Sequence, residues 1–455
     1  MLRKYGVHAA LTLALAFVPA VLAQEPAQDP PPEPPPEERG WSFGFEAKAH
    51  ARDSDAFRFP VPFPFTPDML PPGAGQGFAS TVDPGGSVEI SVLSLLLDGR
   101  WGDGIAAHAK VDLIDLHDRN PTSTGDELDV DELWLRFGRE TEPALLPESP
   151  GVYVKIGKLP KFERQDDRHL ESYGLVATAF NRFEDVGVEL GADLGRHLVL
   201  KLQATQGNPV FLRDPNALAG DNGTPASELP NPRPELGTGV PILYDTDARE
   251  IDVDGDLELG AGLALRFADA AGRRGFELLG FRYERELAET VGFDGTFYGG
   301  DLDLLLGPGN AFPFAVTGDE KTETGASLWL YLGGFSLFAQ WVDQDLAGLE
   351  RTGLEAEAAW RFDLPLRFAV AGRQLFPFVQ PAVRVSELDP DFAAPRITPS
   401  PSFAWEWRKI DAGVRLGIVR GIDLTIEYAD NTMTLASGAE VSQDELLTTL
   451  RWRVD

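Results

Sequence analysis

From Trp41 onward, apolar residues recur at every second position, in runs too regular for loops and with the wrong period for helices. The first run is the cleanest. Trp41, Phe43, Phe45, Ala47, Ala49 and Ala51 share one face, against Ser42, Gly44, Glu46, Lys48, His50 and Arg52 on the other. Side chains along a strand point alternately to its two faces, so this pattern predicts a strand with one apolar and one polar surface. The grammar repeats down the chain. Val152, Val154 and Ile156 oppose Tyr153, Lys155 and Gly157, and Val186, Val188 and Leu190 oppose Asp185, Gly187 and Glu189. Further runs begin at Leu198, Leu257, Leu354, Ile410 and Ile422, and the last alternates from Leu446 to Val454. Strand-like segments number roughly 16 to 18, within the range of membrane barrels.

A soluble sandwich also alternates, so the pattern needs a second signal. Connection lengths supply it. Leu194 to Leu198, Gly333-Gly334 and Val419 to Ile422 are tight, whereas Asp53 to Gly86, Asn208 to Arg249 and Gly307 to Thr322 are long. Barrels of the outer membrane put short turns on one side and long loops on the other, or fold those loops into the lumen. No helical period long enough for a βαβ unit intervenes. The expected fold is all-β, a transmembrane antiparallel β-barrel over residues 40–455.

Composition narrows the class further. There is no cysteine, which excludes disulfides, thiol catalysis and cysteine-held metals. The net charge of −32 argues against nucleic acid as a partner, since that needs a basic footprint. Residues 1–23 read as a secretory signal, with Arg3 and Lys4 before the apolar run Ala9 to Val18 and a small-residue cleavage site at Val21-Leu22-Ala23. The alternative, an N-terminal membrane anchor, falls short of the ~20 apolar residues a spanning helix needs. Residues 24–39 are rich in Pro and Glu and read as a solvated tail or a periplasmic tether.

The stretch KIGKLPKFE, then ESYGLVATAFNRFEDVGVELGA, then QATQGNP resembles the central signature of the phosphate-selective porin O and P family. The resemblance is specific over Val152 to Pro209. Elsewhere it is one of strand pattern, with the closing segment similar to the family's last hairpin. It implies a homotrimeric, water-filled barrel of the outer membrane, with lysines and arginines at a constriction.

Candidate lining residues follow. Lys155, Lys158, Lys161, Arg164, Arg168, Arg182 and Lys201 can form an anion-attracting cluster, because phosphate needs several positive donors to replace its water. Equally, they can be lumen charges paired with Glu163, Asp166, Asp167, Glu184 and Asp185. Asp252, Asp254 and Glu258 share one strand face and form a candidate acidic lining. DVDGD resembles the start of a calcium loop but lacks the downstream glutamate. His50, His108, His117, His169 and His197 lack metal-ligand spacing, and HExxH, GxSxG and phosphate-loop motifs are absent. Trp405, Trp407, Tyr428 and Trp452 are expected at the membrane interface. No cofactor or catalytic residue is expected. The function this supports is passive diffusion of small hydrophilic solutes or ions, phosphate and other anions among them. The alternative is a barrel sheathing another envelope component, such as an electron-transfer protein.

Overall fold

The computed structural model describes residues 39–55, 58–61, 77–80, 85–102, 104–115, 129–165, 168–180, 184–207, 253–254, 257–269, 271–287, 290–291, 316–365, 368–370, 372–392, 404–435 and 438–454. Residues 1–38, His117, Asp166, Asp167, Arg182 and Asp252, named above, lie outside them.

Sixteen antiparallel strands close into one barrel. In chain order they are β1 (Arg39–Ser54), β2 (Gly85–Trp101), β3 (Ile105–Asp115), β4 (Asp129–Gly138), β5 (Val152–Leu159), β6 (Asp185–Asp193), β7 (Leu198–Thr205) and β8 (Glu258–Ala268). There follow β9 (Arg274–Glu286), β10 (Glu320–Leu332), β11 (Phe335–Leu346), β12 (Leu349–Trp360), β13 (Phe378–Pro390), β14 (Glu406–Val419), β15 (Ile422–Thr434) and β16 (Glu440–Val454). Each pairs with its neighbours in sequence, and β16 closes on β1 with Phe45 opposite Val454 and Ser54 opposite Glu445. Closure removes the free edges that an open sheet would present. Tight turns through Gly195, Gly333 and Gly421, each at positive φ, gather at one end of the barrel, the turn end. Glycine is needed there because other residues are strained in that conformation.

The alternation read from sequence is realised inside out. On β8, Leu259, Leu263, Leu265 and Phe267 are exposed while Glu258 and Arg266 are buried, and on β5 the exposed Val152 and Ile156 oppose buried Tyr153 and Lys155. Aliphatic side chains thus face outward and charged ones inward, as hydrocarbon outside and a polar lumen require. Several strands depart from a simple period; on β2, a register shift opposite Lys48 and Ala49 changes the phase after Ile90. A β-bulge of this kind inserts one extra residue and re-aims those that follow.

Toward the loop end of β9 to β16 the polarity reverts to that of a soluble protein. Asp343, Asp345, Glu350, Asp389, Glu406 and Arg408 point out and are exposed. Val342, Leu346, Leu349, Leu388, Trp407 and Met433 point in, forming a buried apolar core. Above the hydrocarbon zone the wall stands in water, so polar residues go outside and apolar ones inside. Two interface expectations are corrected here. Trp405 and Trp407 are not interface aromatics: they are 0% and 2% exposed and stack at 5.9 Å inside this core. Tyr428 and Trp452, by contrast, are exposed on the outer face.

Candidate functional site: the lumen constriction

The described residues of the connection from β5 to β6 stay within the barrel. They turn into the lumen and include one short helix, α1 (Leu175–Ala179). A chain crossing a polar lumen carries backbone donors and acceptors that must be satisfied, and the inner wall satisfies them. Glu427 on β15 accepts from the backbone N–H groups of Glu171 (2.7 Å) and Ser172 (2.9 Å). Arg384 on β13 donates to the Ser172 carbonyl at 2.9 Å, Lys409 on β14 to Tyr173 O at 2.7 Å, and Arg351 on β12 to Ala179 O at 2.7 Å. Gln340 on β11 donates to Glu163 O at 3.0 Å.

Apolar contacts hold the same segment. Gly262, Gly353 and Gly413 line the inner wall where Phe162, Phe180 and Leu170 approach. A Cβ on Gly262 would stand 2.7 Å from the Phe162 ring, and one on Gly413 2.8 Å from Leu170. Phe162 stacks on Tyr283 with ring centres 5.4 Å apart. Glycine on the polar face of a strand therefore marks a seat for the segment.

The anchoring network is ionic and buried. Arg384 is shielded from solvent and bridges Asp411 (2.9 Å) and Glu357 (3.4 Å). Glu357 in turn receives the His169 backbone N–H at 2.8 Å and lies 2.9 Å from His169 Nδ1. The other imidazole nitrogen meets Ser336 Oγ at 3.3 Å. This serine–histidine–carboxylate order was not visible in sequence, and here it ties the segment to β11 and β12. Glu171 pairs with Lys48 on β1 (3.0 Å) and Arg415 on β14 (3.2 Å). Burial pushes the Glu171 carboxyl up, but Lys48, Arg415 and Arg451 outweigh it and hold it well below the usual carboxylate range.

The predicted cationic residues separate into distinct places. Lys155 and Lys201 face the lumen and share Glu140, at 3.2 and 3.8 Å. Glu140 belongs to the connection between β4 and β5, which also turns inward. Burial pushes its carboxyl up, yet Lys155, Lys201 and Arg136 bring it down to about 2. Lys161 is buried and donates to Glu258, which also accepts from Lys321 at 2.8 Å. Arg164 bridges Glu184 and Glu132, the latter at 3.1 Å. Arg168 stacks on Tyr173 with its guanidinium carbon 4.1 Å from the ring centre. Lys158 follows the strand parity of Ile156 and sits opposite Leu133 and Val186, outward residues of the neighbouring strands. Of the acidic candidates, Glu258 heads β8, while Asp254 lies in a two-residue ladder with Thr290. Asp131, Glu132 and Glu184 converge closely enough to share a metal ion, but Lys110 and Arg164 already supply positive charge there.

Two pairings escape sequence reasoning: Glu140 with Lys155 and Lys201, and Glu258 with Lys161 and Lys321. Both join residues of different strands and connections that the fold gathers on the inner wall. The half-buried lining near the segment carries Lys48, Lys110, Arg136, Arg164, Arg168 and Arg451 among Glu46, Asp131, Glu132 and Glu140. Among the described residues, basic and acidic side chains thus alternate along this stretch, and most of the cations stand beside a carboxylate.

The closed barrel, lipid-type outer face and inward-folded segment define a transmembrane β-barrel of porin type. No protein-family model and no curated protein matches the chain. Among solved structures it is similar to OprB of Pseudomonas putida, with 10% identity, TM-score 0.50, and coverage of 91% of this chain and 94% of that one. The outer-membrane channel DcaP of Acinetobacter baumannii aligns at 10% identity and TM-score 0.49, covering 91% and 97%. OmpT, an outer membrane protein of Vibrio cholerae, aligns at 10% identity and TM-score 0.44, covering 92% and 98%. At such identity the likeness is one of fold.

Proposed function

We propose that the chain is an outer-membrane porin through which small hydrophilic solutes or ions diffuse passively, with phosphate and other small anions favoured. The observation that carries this reading is the inward-folded segment held against β8 to β15. It narrows the lumen and directs solutes past the lysines and arginines of β1, β3, β4 and β16. Selectivity in such a passage comes from its width and the charge that lines it, with no cofactor and no chemical step. The turn end lies on the periplasmic side, the loops outside, and the signal is cleaved before insertion. The resemblance over Val152 to Pro209 supports the anion preference and a homotrimer. A sheath for a threaded protein is less well supported, because the chain's own segment occupies the lumen such a partner would need.

Proteoliposome swelling tests the proposal. Vesicles holding the purified protein should admit small sugars, with rates falling as solute size rises, and should admit inorganic phosphate faster than a neutral solute of equal size. Absence of swelling with every solute would overturn the channel reading. Equal rates for phosphate and the neutral solute would overturn the anion preference alone.

A further inference from the structure

The outer wall of β6 to β9 is not evenly covered. A groove of about 530 Å³ runs across it, walled by Val188, Leu190, Leu202 and Leu259, with Ala204 and Ala261 among the small residues lining it. One water occupies roughly 30 Å³ in the liquid, so the space suits a chain-like guest rather than a few waters. Gly280, on the outward parity of β9, meets nothing within 4 Å of where a Cβ would stand, which extends the open space. Neighbouring Val188, Leu202 and Leu259 are exposed, so the groove opens on the face that meets lipid.

The groove ends on charge. Arg282 and Glu284, 54% and 59% exposed, form a 2.6 Å ion pair on the same outer face, and Arg282 also donates to Thr324 Oγ1 at 3.3 Å. A charge facing lipid costs ~2–4 kcal/mol at the bilayer midplane and ~0–1 near the interface, so Arg282 marks the interfacial level. It lies toward the loop end of β9, in the outer leaflet by the orientation above. The acidic neighbours Glu284, Glu286 and Glu320 continue outward into water.

We infer that this groove is a lipid site, seating one acyl chain of a phosphate-bearing lipid with Arg282 at the headgroup. Apolar walls of small and branched residues take the chain, and the guanidinium pairs with the phosphate, for which its fork of donors is suited. The inference rests on the membrane reading of the barrel and is independent of the solute it conducts.

Native mass spectrometry of the purified protein with dipalmitoyl phosphatidic acid, and with the diacylglycerol of the same chains, tests it. The wild type should retain one phosphatidic acid per barrel. Ala261→Trp, which fills the groove on a face where tryptophan is tolerated, should lose that retention about tenfold. Arg282→Gln should keep the chain but lose the preference for phosphatidic acid over diacylglycerol. Both variants should retain wild-type conductance, which separates failure of this site from failure of the channel reading. Unchanged retention in Ala261→Trp would overturn the inference. Loss of oligomers with unchanged lipid retention would also overturn it, assigning the groove to a second copy of the chain.

Discussion

Glu140 holds two lysines that would otherwise face the solute. Its carboxyl, brought down to about 2 although burial opposes ionisation, stays charged through the neutral and mildly acidic range. The sign follows from the lowered value. Its contribution to stability is fully present above the ordinary glutamate pKa of roughly 4.3 and is lost as pH falls toward 2. Glu140→Gln removes the acid nearest Lys155, Lys201 and Arg136 and leaves the lysines only the buried Glu189 and Glu277. The chloride-to-potassium permeability ratio should then rise on the order of twofold. A reversal-potential measurement checks this, and an unchanged ratio would show that the pair does not border the passage. Because this site stays ionised, it should not itself change the wild-type ratio between pH 7 and pH 4.

At the scale of elements, the internal segment depends on Arg384. This guanidinium reaches Ser172, Asp411 and Glu357 at once, fully buried. Arg384→Met leaves two carboxylates without their shared partner, a loss of about 3–5 kcal/mol for a broken buried pair. The segment should detach from β13, lowering the unfolding temperature in a heat-modifiability assay and raising single-channel conductance on the order of twofold. A variant with wild-type conductance would mean the segment does not set the narrowest point.

The strands were legible because membrane burial imposes a period of two that side chains cannot disguise. Trp41 to Ala51 and Leu257 to Phe267 carry it without interruption. The turns were legible from Gly195, Gly333 and Gly421. The segment was less so. Leu170, Val176 and Phe180 form no regular period, since they pack against Gly413 and Gly353 on strands distant in sequence. Trp407 was misplaced for a related reason. Its strand crosses from lipid into water, and the meaning of an inward position changes where Ile410 gives way to Arg408. No local pattern states where along a strand the membrane ends.

For the whole molecule, the charge of −32 and the lysines and arginines of the lining compete to decide which ions pass. Exposed acids such as Asp343, Asp345 and Glu350 face outward at the loop end, where salt screens them beyond a Debye length of about 8 Å. Lys48, Arg164 and Arg168 stand inside, half-buried in the lining. Proximity and lower dielectric favour the inner set, so these cations should outweigh the global charge. The most direct test is the reversal potential of the wild-type protein in a planar bilayer across a potassium chloride gradient. Discrete open steps with a reversal potential shifted toward that of chloride are predicted. A shift toward potassium, or a barrel that inserts without conducting, would contradict the account.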